Sequence, residues 1–117
     1  MKRKGRKYHG NSRRNEEPHH LYEIIDDVDQ STFKYGISAD PIDEDGLSER
    51  IRTQLFLFNI IAGMTRFFAR ILLRNIPGRI KALEIEDRYI KKHEEAFGHR
   101  PPGNPKRRIR KKKENGD

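Results

Sequence analysis

Residues 20–38, HLYEIIDDVDQSTFKYGIS, decide how the rest of the chain is read. They form two short runs rich in Tyr, Ile, Phe and Thr, Leu21–Asp26 and Thr32–Ser38, separated by the polar stretch Asp26–Ser31. Runs of that composition around a polar interruption predict a β-hairpin with a longer loop. Tyr22 lies in the first strand and Tyr35 in the second, with Gly36 directly after it. Paired strands would let the two phenols meet on one sheet face, and Gly36 would let a ligand backbone approach closely.

The remainder of the chain continues the pattern. Ala39–Gly46 is an acidic loop containing Pro41, and either Asp45 or Ser48 can cap a helix that follows. Leu47, Ile51, Leu55, Phe58 and Ala62 fall at helical spacing, which predicts an amphipathic helix over Gly46–Ala62 ended by Gly63. Arg50 lies at the rim of its apolar stripe. Thr65–Asn75 mixes apolar and basic residues between Gly63 and Pro77-Gly78; its composition suits a third strand, with a short helix as the alternative. Pro77 is then suited to be the first residue of a second helix, marked by Ile80, Leu83, Ile90 and Phe97 and ended by Gly98. The expected fold is α+β: a small three-stranded antiparallel sheet flanked by helices in the order β-β-α-β-α.

Within the second helix Glu86 stands out. Ala82 and Tyr89 are its neighbours on the helix surface, so its carboxylate lies on or beside the apolar face. A carboxylate at a core edge is costly unless it is paired or holds a cation. Glu84, Asp87, Glu94 and Glu95 all have solvent-side places. The segment His99–Pro105, HRPPGNP, sets Asn104 in a rigid turn.

The charge of this 117-residue chain, +8 overall, is unevenly spread. Residues 1–14 hold seven Lys/Arg and no acids, and residues 105–117 hold seven Lys/Arg against two acids. The middle is net acidic. We therefore divide the chain into a basic flexible arm or linker (1–18), one folded domain (19–104) and a basic tail (105–117). Basic arms attract polyanions because each neutralised phosphate releases counterions, and Lys106, Arg107 and Arg108 open the tail that would do so. There are no cysteines, so disulfides and thiolate metal sites are excluded. No stretch is apolar enough to span a membrane, and the basic N-terminus lacks the apolar region of a signal peptide.

With these elements in order, the chain from about Leu21 to Asn104 resembles the GIY-YIG nuclease domain, and most closely its branch of toxin domains in bacterial polymorphic and secreted effectors. LYEI with Tyr22 resembles the first motif strand, KYGIS with Tyr35 and Gly36 the second. LSERI with Arg50 resembles the arginine-bearing helix, ALEIEDRYIKK with Glu86 the acidic helix, and Asn104 takes the place of a late asparagine. Two departures leave the strand register open: the first motif lacks its glycine, and in the second the glycine has moved one place forward.

The resemblance implies a metal-dependent endonuclease of low sequence specificity that cleaves nucleic acid, DNA before RNA. Glu86 would be the sole carboxylate ligand of one Mg²⁺ or Mn²⁺ ion, and Arg50 would hold the scissile phosphate. Tyr22 would serve as general base and Tyr35 as its orienting partner. Asn104 would brace the metal site, while Gly36, His20 and Arg52 would touch substrate. Arg52 stands as the substitute for Arg50 and Glu84 as that for Glu86. His19, His20 and His93 show no metal-ligand spacing. A monomer is expected, acting in the cytoplasm of a target cell after delivery within a larger effector, with a cognate immunity protein that occludes the cleft. Three other readings stay open: a binding module that has lost its chemistry, a protein-interaction domain, and a free-standing repair or mobile-element nuclease.

Overall fold

The computed structural model describes residues 15–106. The tail residues Arg107 and Arg108, and residues 1–14 of the first arm, lie outside the described part. The elements are β1 (Pro18–Asp26), β2 (Ser31–Ser38), α1 (Glu49–Ala62), β3 (Phe67–Pro77) and α2 (Arg79–Phe97). The three strands form one antiparallel sheet in the order β2-β1-β3. This is the expected α+β arrangement, and Phe67–Pro77 is a strand rather than a helix.

β1 is the central strand, and its burial is almost continuous from His19 to Ile24. Successive side chains of a strand point to opposite faces, so Leu21 and Tyr22 supply different cores. Leu21 joins Ile37, Ile76 and Ala82, packed by Leu83, Ile85 and Tyr89 of α2. Tyr22 joins Ile24, Ile51 and Phe67, packed by Leu55 and Phe58 of α1. Each helix thus covers the sheet through one small cluster. Around Phe33 the strand pairing slips between Ile24 and Ile25. There the Phe33 ring meets Phe67 at 4.7 Å and Phe58 at 5.3 Å between centroids.

Element ends differ from the sequence reading in ways the local chemistry explains. β1 begins at Pro18, three residues before Leu21, because His19 and His20 are buried against β3 and β2. Gly63 ends α1 in the left-handed conformation at φ 73°, as expected. Ser48 stands at the N-cap of α1, but its hydroxyl makes no capping bond; Asp45 instead accepts from the Leu47 amide at 3.0 Å. Pro77 is not the first helical residue of α2: it ends β3 opposite Pro18, and Gly78 makes the turn at φ 87°.

Two side chains tie the loops to the sheet. Asn59 of α1 accepts from the amides of Arg66 and Phe67, both at 2.7 Å, which sets the start of β3. Arg66 then donates twice to the Asp26 carboxylate, Nε to Oδ1 at 2.9 Å and Nη2 to Oδ2 at 2.8 Å. These bonds hold the Asp26 carboxyl below its ordinary pKa. A depressed carboxyl adds stability above its unfolded pKa and loses it as acid carries the pH down through the folded value. We expect urea midpoints to fall from about pH 4 downward, with a smaller share of that fall in Arg66→Ala, whose midpoint at neutral pH is already lower.

Candidate active site

The register of the hairpin decides which side chains share a face. Tyr22 lies opposite Gly36, Glu23 opposite Tyr35, and Ile24 opposite Lys34. Tyr22 and Tyr35 therefore point to opposite sides of the sheet, and the expectation that the two phenols meet is corrected. A shift of one residue exchanges the faces of a strand, and the glycine one place along the second motif is that shift. Gly36 has also been given the wrong purpose. The space above it is filled by the Tyr22 ring: a Cβ built on Gly36 would lie 2.8 Å from Tyr22 Cε1 and nearer still to Cζ and Oη. Gly36 makes room for the phenol, not for a ligand backbone.

Tyr35 packs against Tyr89 of α2, with ring centroids 5.4 Å apart. Its surroundings are Glu23, Thr32 and Arg70. Glu23 accepts from Thr32 Oγ1 and from Arg70 Nε, the latter at 2.9 Å. This polar cluster stabilises the α2 side of the hairpin.

On the Tyr22 side a different set converges. Lys34, on the same face of β2, donates from Nζ to Gln54 Oε1 of α1 at 3.1 Å. Arg50 and Gln54 are the side chains that act most strongly on the Tyr22 hydroxyl, and Glu86 of α2 reaches the same point electrostatically. Glu86 in turn feels Lys34, Arg79 and Arg50. The structure brings Tyr22, Arg50 and Glu86 together from three elements and adds Lys34 and Gln54. Lys34 escaped sequence reading because a lysine in a strand reads as solvent-facing; its one signal was its place two residues before Gly36 and the Ser38 that follows.

Burial sets the electrostatics. Tyr22 is fully buried, and its Oη has no hydrogen-bond partner among the described residues. Burial pushes the phenol above its ordinary pKa, against the opposing pull of the Arg50 guanidinium. Lys34 is displaced downward, first by burial and then by Arg50. Burial raises Glu86 although three cations lie near it. Its carboxylate makes no ion pair or hydrogen bond among the described residues. A half-buried carboxylate in that condition suits a hard divalent cation that keeps most of its water shell, as Mg²⁺ does. Among the described residues no cluster of three or more His, Asp or Glu is placed to hold a metal, so such an ion would rest on Glu86 alone.

The remaining candidates separate cleanly. Arg50 forms no ion pair among the described residues, whereas Arg52 pairs with Asp43 at 2.6 Å, Asp45 at 3.1 Å and Glu49 at 3.4 Å. Arg52 is thus committed to the acidic loop and is no substitute for Arg50. Glu84 is exposed beside Lys81 and does not replace Glu86. Asn104 clamps the backbone of β2: its Oδ1 accepts from the Tyr35 amide at 2.8 Å and its Nδ2 donates to the Tyr35 carbonyl at 3.0 Å. It braces the strand between Lys34 and Gly36. His20 stands beside Tyr22, ring centroids 6.3 Å apart, and His93 is buried with Nδ1 against the His99 carbonyl at 2.9 Å. Lys106 is exposed at the end of the described chain.

A small α+β domain in which a tyrosine, two cations and one half-buried carboxylate lie within electrostatic reach of one another defines the class. The family described as URI fold toxin 2 (Tox-URI2) matches residues 12–98, and the chain belongs to that family. The match takes in all five elements and stops before the Asn104 turn. Neither a curated protein nor a solved structure matches the chain. No helix among the described residues is long and apolar enough to cross a membrane.

If the Tyr22 ring over Gly36 sets the register, Gly36→Ala overpacks the site and costs about 1–3 kcal/mol in urea unfolding. Combined with Tyr22→Ala, which removes the obstructing ring, the same substitution should add little further loss, a clear departure from additivity.

Proposed function

We propose that this domain is a divalent-metal-dependent endonuclease of the GIY-YIG type, and that its toxicity is the cleavage of nucleic acid, DNA before RNA. The observation that carries the reading is that Tyr22, Lys34, Arg50 and Glu86, from four elements, lie within electrostatic reach of one another. Membership of a URI-fold toxin family and the basic runs at both ends of the chain support it.

Hydrolysis of a phosphodiester needs a deprotonated water, compensation of charge on the phosphate, and help for the departing oxygen. Arg50, unpaired on the first turn of α1, grips two phosphate oxygens, for which a planar guanidinium is well shaped. Lys34 adds a second positive charge beside it, aimed by its bond to Gln54. Tyr22, as phenolate, takes the proton of the water that attacks phosphorus; the bond to the leaving oxygen breaks as the new P–O bond forms. The raised pKa of the buried phenol means that this base forms only with more positive charge nearby. A divalent ion on Glu86 would supply that charge to the phosphate and to the leaving oxygen. Asn104 acts at one remove, holding the β2 backbone that presents Lys34.

This assignment gives Lys34 the second position and leaves Tyr35 to packing. The protein would work inside a target cell after delivery with a larger effector, as a monomer, and an immunity protein that covers the Tyr22/Arg50/Glu86 face would block it.

Supercoiled plasmid incubated with purified protein should be nicked with Mg²⁺ or Mn²⁺ and left intact with chelator, while Glu86→Ala should be inactive under both conditions. Binding without nicking, on DNA and on RNA, would replace the nuclease with a binding module. A second comparison separates the two faces. Lys34→Met should lower the cleavage rate about a hundredfold, of the order seen when one charge-stabilising donor is removed, whereas Tyr35→Phe should retain most activity. The reverse ranking would restore Tyr35 to the site.

A further inference from the structure

β2 is an edge strand of the sheet, with β1 on one side only. Backbone groups along such an edge need partners from outside the sheet. Gly103 and Asn104, in the turn after α2, supply them. The Gly103 amide donates to the Phe33 carbonyl at 2.6 Å, and the Asn104 side chain takes both the amide and the carbonyl of Tyr35. The turn thus stands in for a fourth strand along Phe33–Tyr35.

The turn is itself anchored. Pro101 is fully buried, and its carbonyl accepts from the Asn104 amide at 2.9 Å. Arg100 Nε donates to the Asn104 carbonyl at 2.8 Å. His93 Nδ1, 2.9 Å from the His99 carbonyl, ties the start of the segment to α2. A segment held in this way can hold what it touches.

What it touches is Lys34. A Cβ built on Gly103 would lie 2.8 Å from Lys34 Cβ, 2.9 Å from Phe33 Cε2 and 2.9 Å from the Phe33 carbonyl oxygen. Gly103 is not among the glycines with positive φ, so space, and not backbone conformation, requires glycine at this position. The absent side chain lets the turn close on the root of Lys34. Gln54 Oε1 accepts from the far end of the same side chain at 3.1 Å. A lysine ammonium rides on a long flexible stem, and its place is fixed only when both ends of that stem are held. Asn104 acts on the backbone next to Lys34; Gly103 meets the side chain itself.

We propose that Gly103 is a positioning residue of the candidate active site, fixing the root of Lys34 and so the place of its ammonium group. The effect on cleavage rests on the nuclease reading, whereas the placement of Lys34 does not.

Gly103→Ala forces the turn away from the strand and frees Lys34. Nicking of supercoiled plasmid with Mg²⁺ should then show kcat lowered about tenfold, as for a misplaced catalytic group, with KM nearly unchanged. A general structural loss would recur whatever stands at position 34, but a positioning loss cannot. In the Lys34→Met background, with nicking followed over longer incubation, Gly103→Ala should therefore cost less than about twofold. Arg100→Ala, which loosens the turn from outside without touching β2, is the second variant if the urea midpoint shows Gly103→Ala to be poorly folded. It should give a smaller loss that also vanishes with Lys34→Met. Equal losses in both backgrounds would overturn the proposal.

A readout without cleavage separates this role from the nuclease reading. In the metal-free protein the Lys34 amine, followed by the NMR signal of its ε-carbon, should titrate below an ordinary lysine, because burial and Arg50 disfavour its charge more than Glu86 favours it. Gly103→Ala should move that titration back upward. An unmoved titration in an active enzyme overturns the positioning role alone. A wild-type protein that cuts no nucleic acid, but whose Lys34 titration moves with Gly103→Ala, overturns the nuclease alone.

Discussion

The Tyr22 ring occupies the space above Gly36 so completely that no side chain can stand there. That contact holds β1 and β2 in register, and every other placement follows from it. With Tyr22 opposite Gly36, Lys34 shares the face of Tyr22, and Tyr35 is turned toward Tyr89 on the other side. Because β1 is the central strand, the same register also determines which of its side chains meet each helix: Leu21 packs toward α2 and Tyr22 toward α1.

The two faces have been given different work. On the Tyr35 side, Glu23 is answered by Thr32 and Arg70, and the Tyr35 backbone by both ends of the Asn104 amide. Near Tyr22, among the described residues, the phenol has no partner of hydrogen-bond geometry, Arg50 has no ion pair, and the Glu86 carboxylate has cations near it but no bond to any of them. Satisfied networks make a structure rigid, and unsatisfied buried groups are costly unless a ligand completes them. The rigid side therefore serves as the mount for the incomplete one. Asn104 links them, because the backbone it clamps runs between Lys34 and Gly36.

A cavity of about 310 Å³ lies at the end of the sheet beside His20. Lys34, Arg79 and Arg50 are the cations within electrostatic reach of Glu86. Arg66, Arg70 and Arg52, which sequence alone would count with them, are spent on Asp26, Glu23 and the acidic loop.

Much of this was legible without a structure. Runs rich in Tyr, Ile, Phe and Thr around a polar interruption marked the hairpin, the helical period marked α1 and α2, and Gly63 and Gly98 closed them. Those signals are local, because each depends on residues a few positions apart. Glu86 was legible for the same reason: a carboxylate among Ala82, Tyr89 and Ile90 violates the period of its own helix. The pairing of one strand with another is not a local property. Both Tyr35 and Lys34 fit a half-buried strand, and a register one residue away would exchange their faces without changing the composition of either strand. Only the collision between the Tyr22 ring and any Cβ at position 36 selects the observed pairing. The choice between Arg50 and Arg52 is likewise tertiary, since it depends on where the loop carries Asp43 and Asp45. The sequence by itself determined the elements, their order and the odd carboxylate; the tertiary structure decided which side chains face that carboxylate, because register and packing are set by contacts between residues distant along the chain.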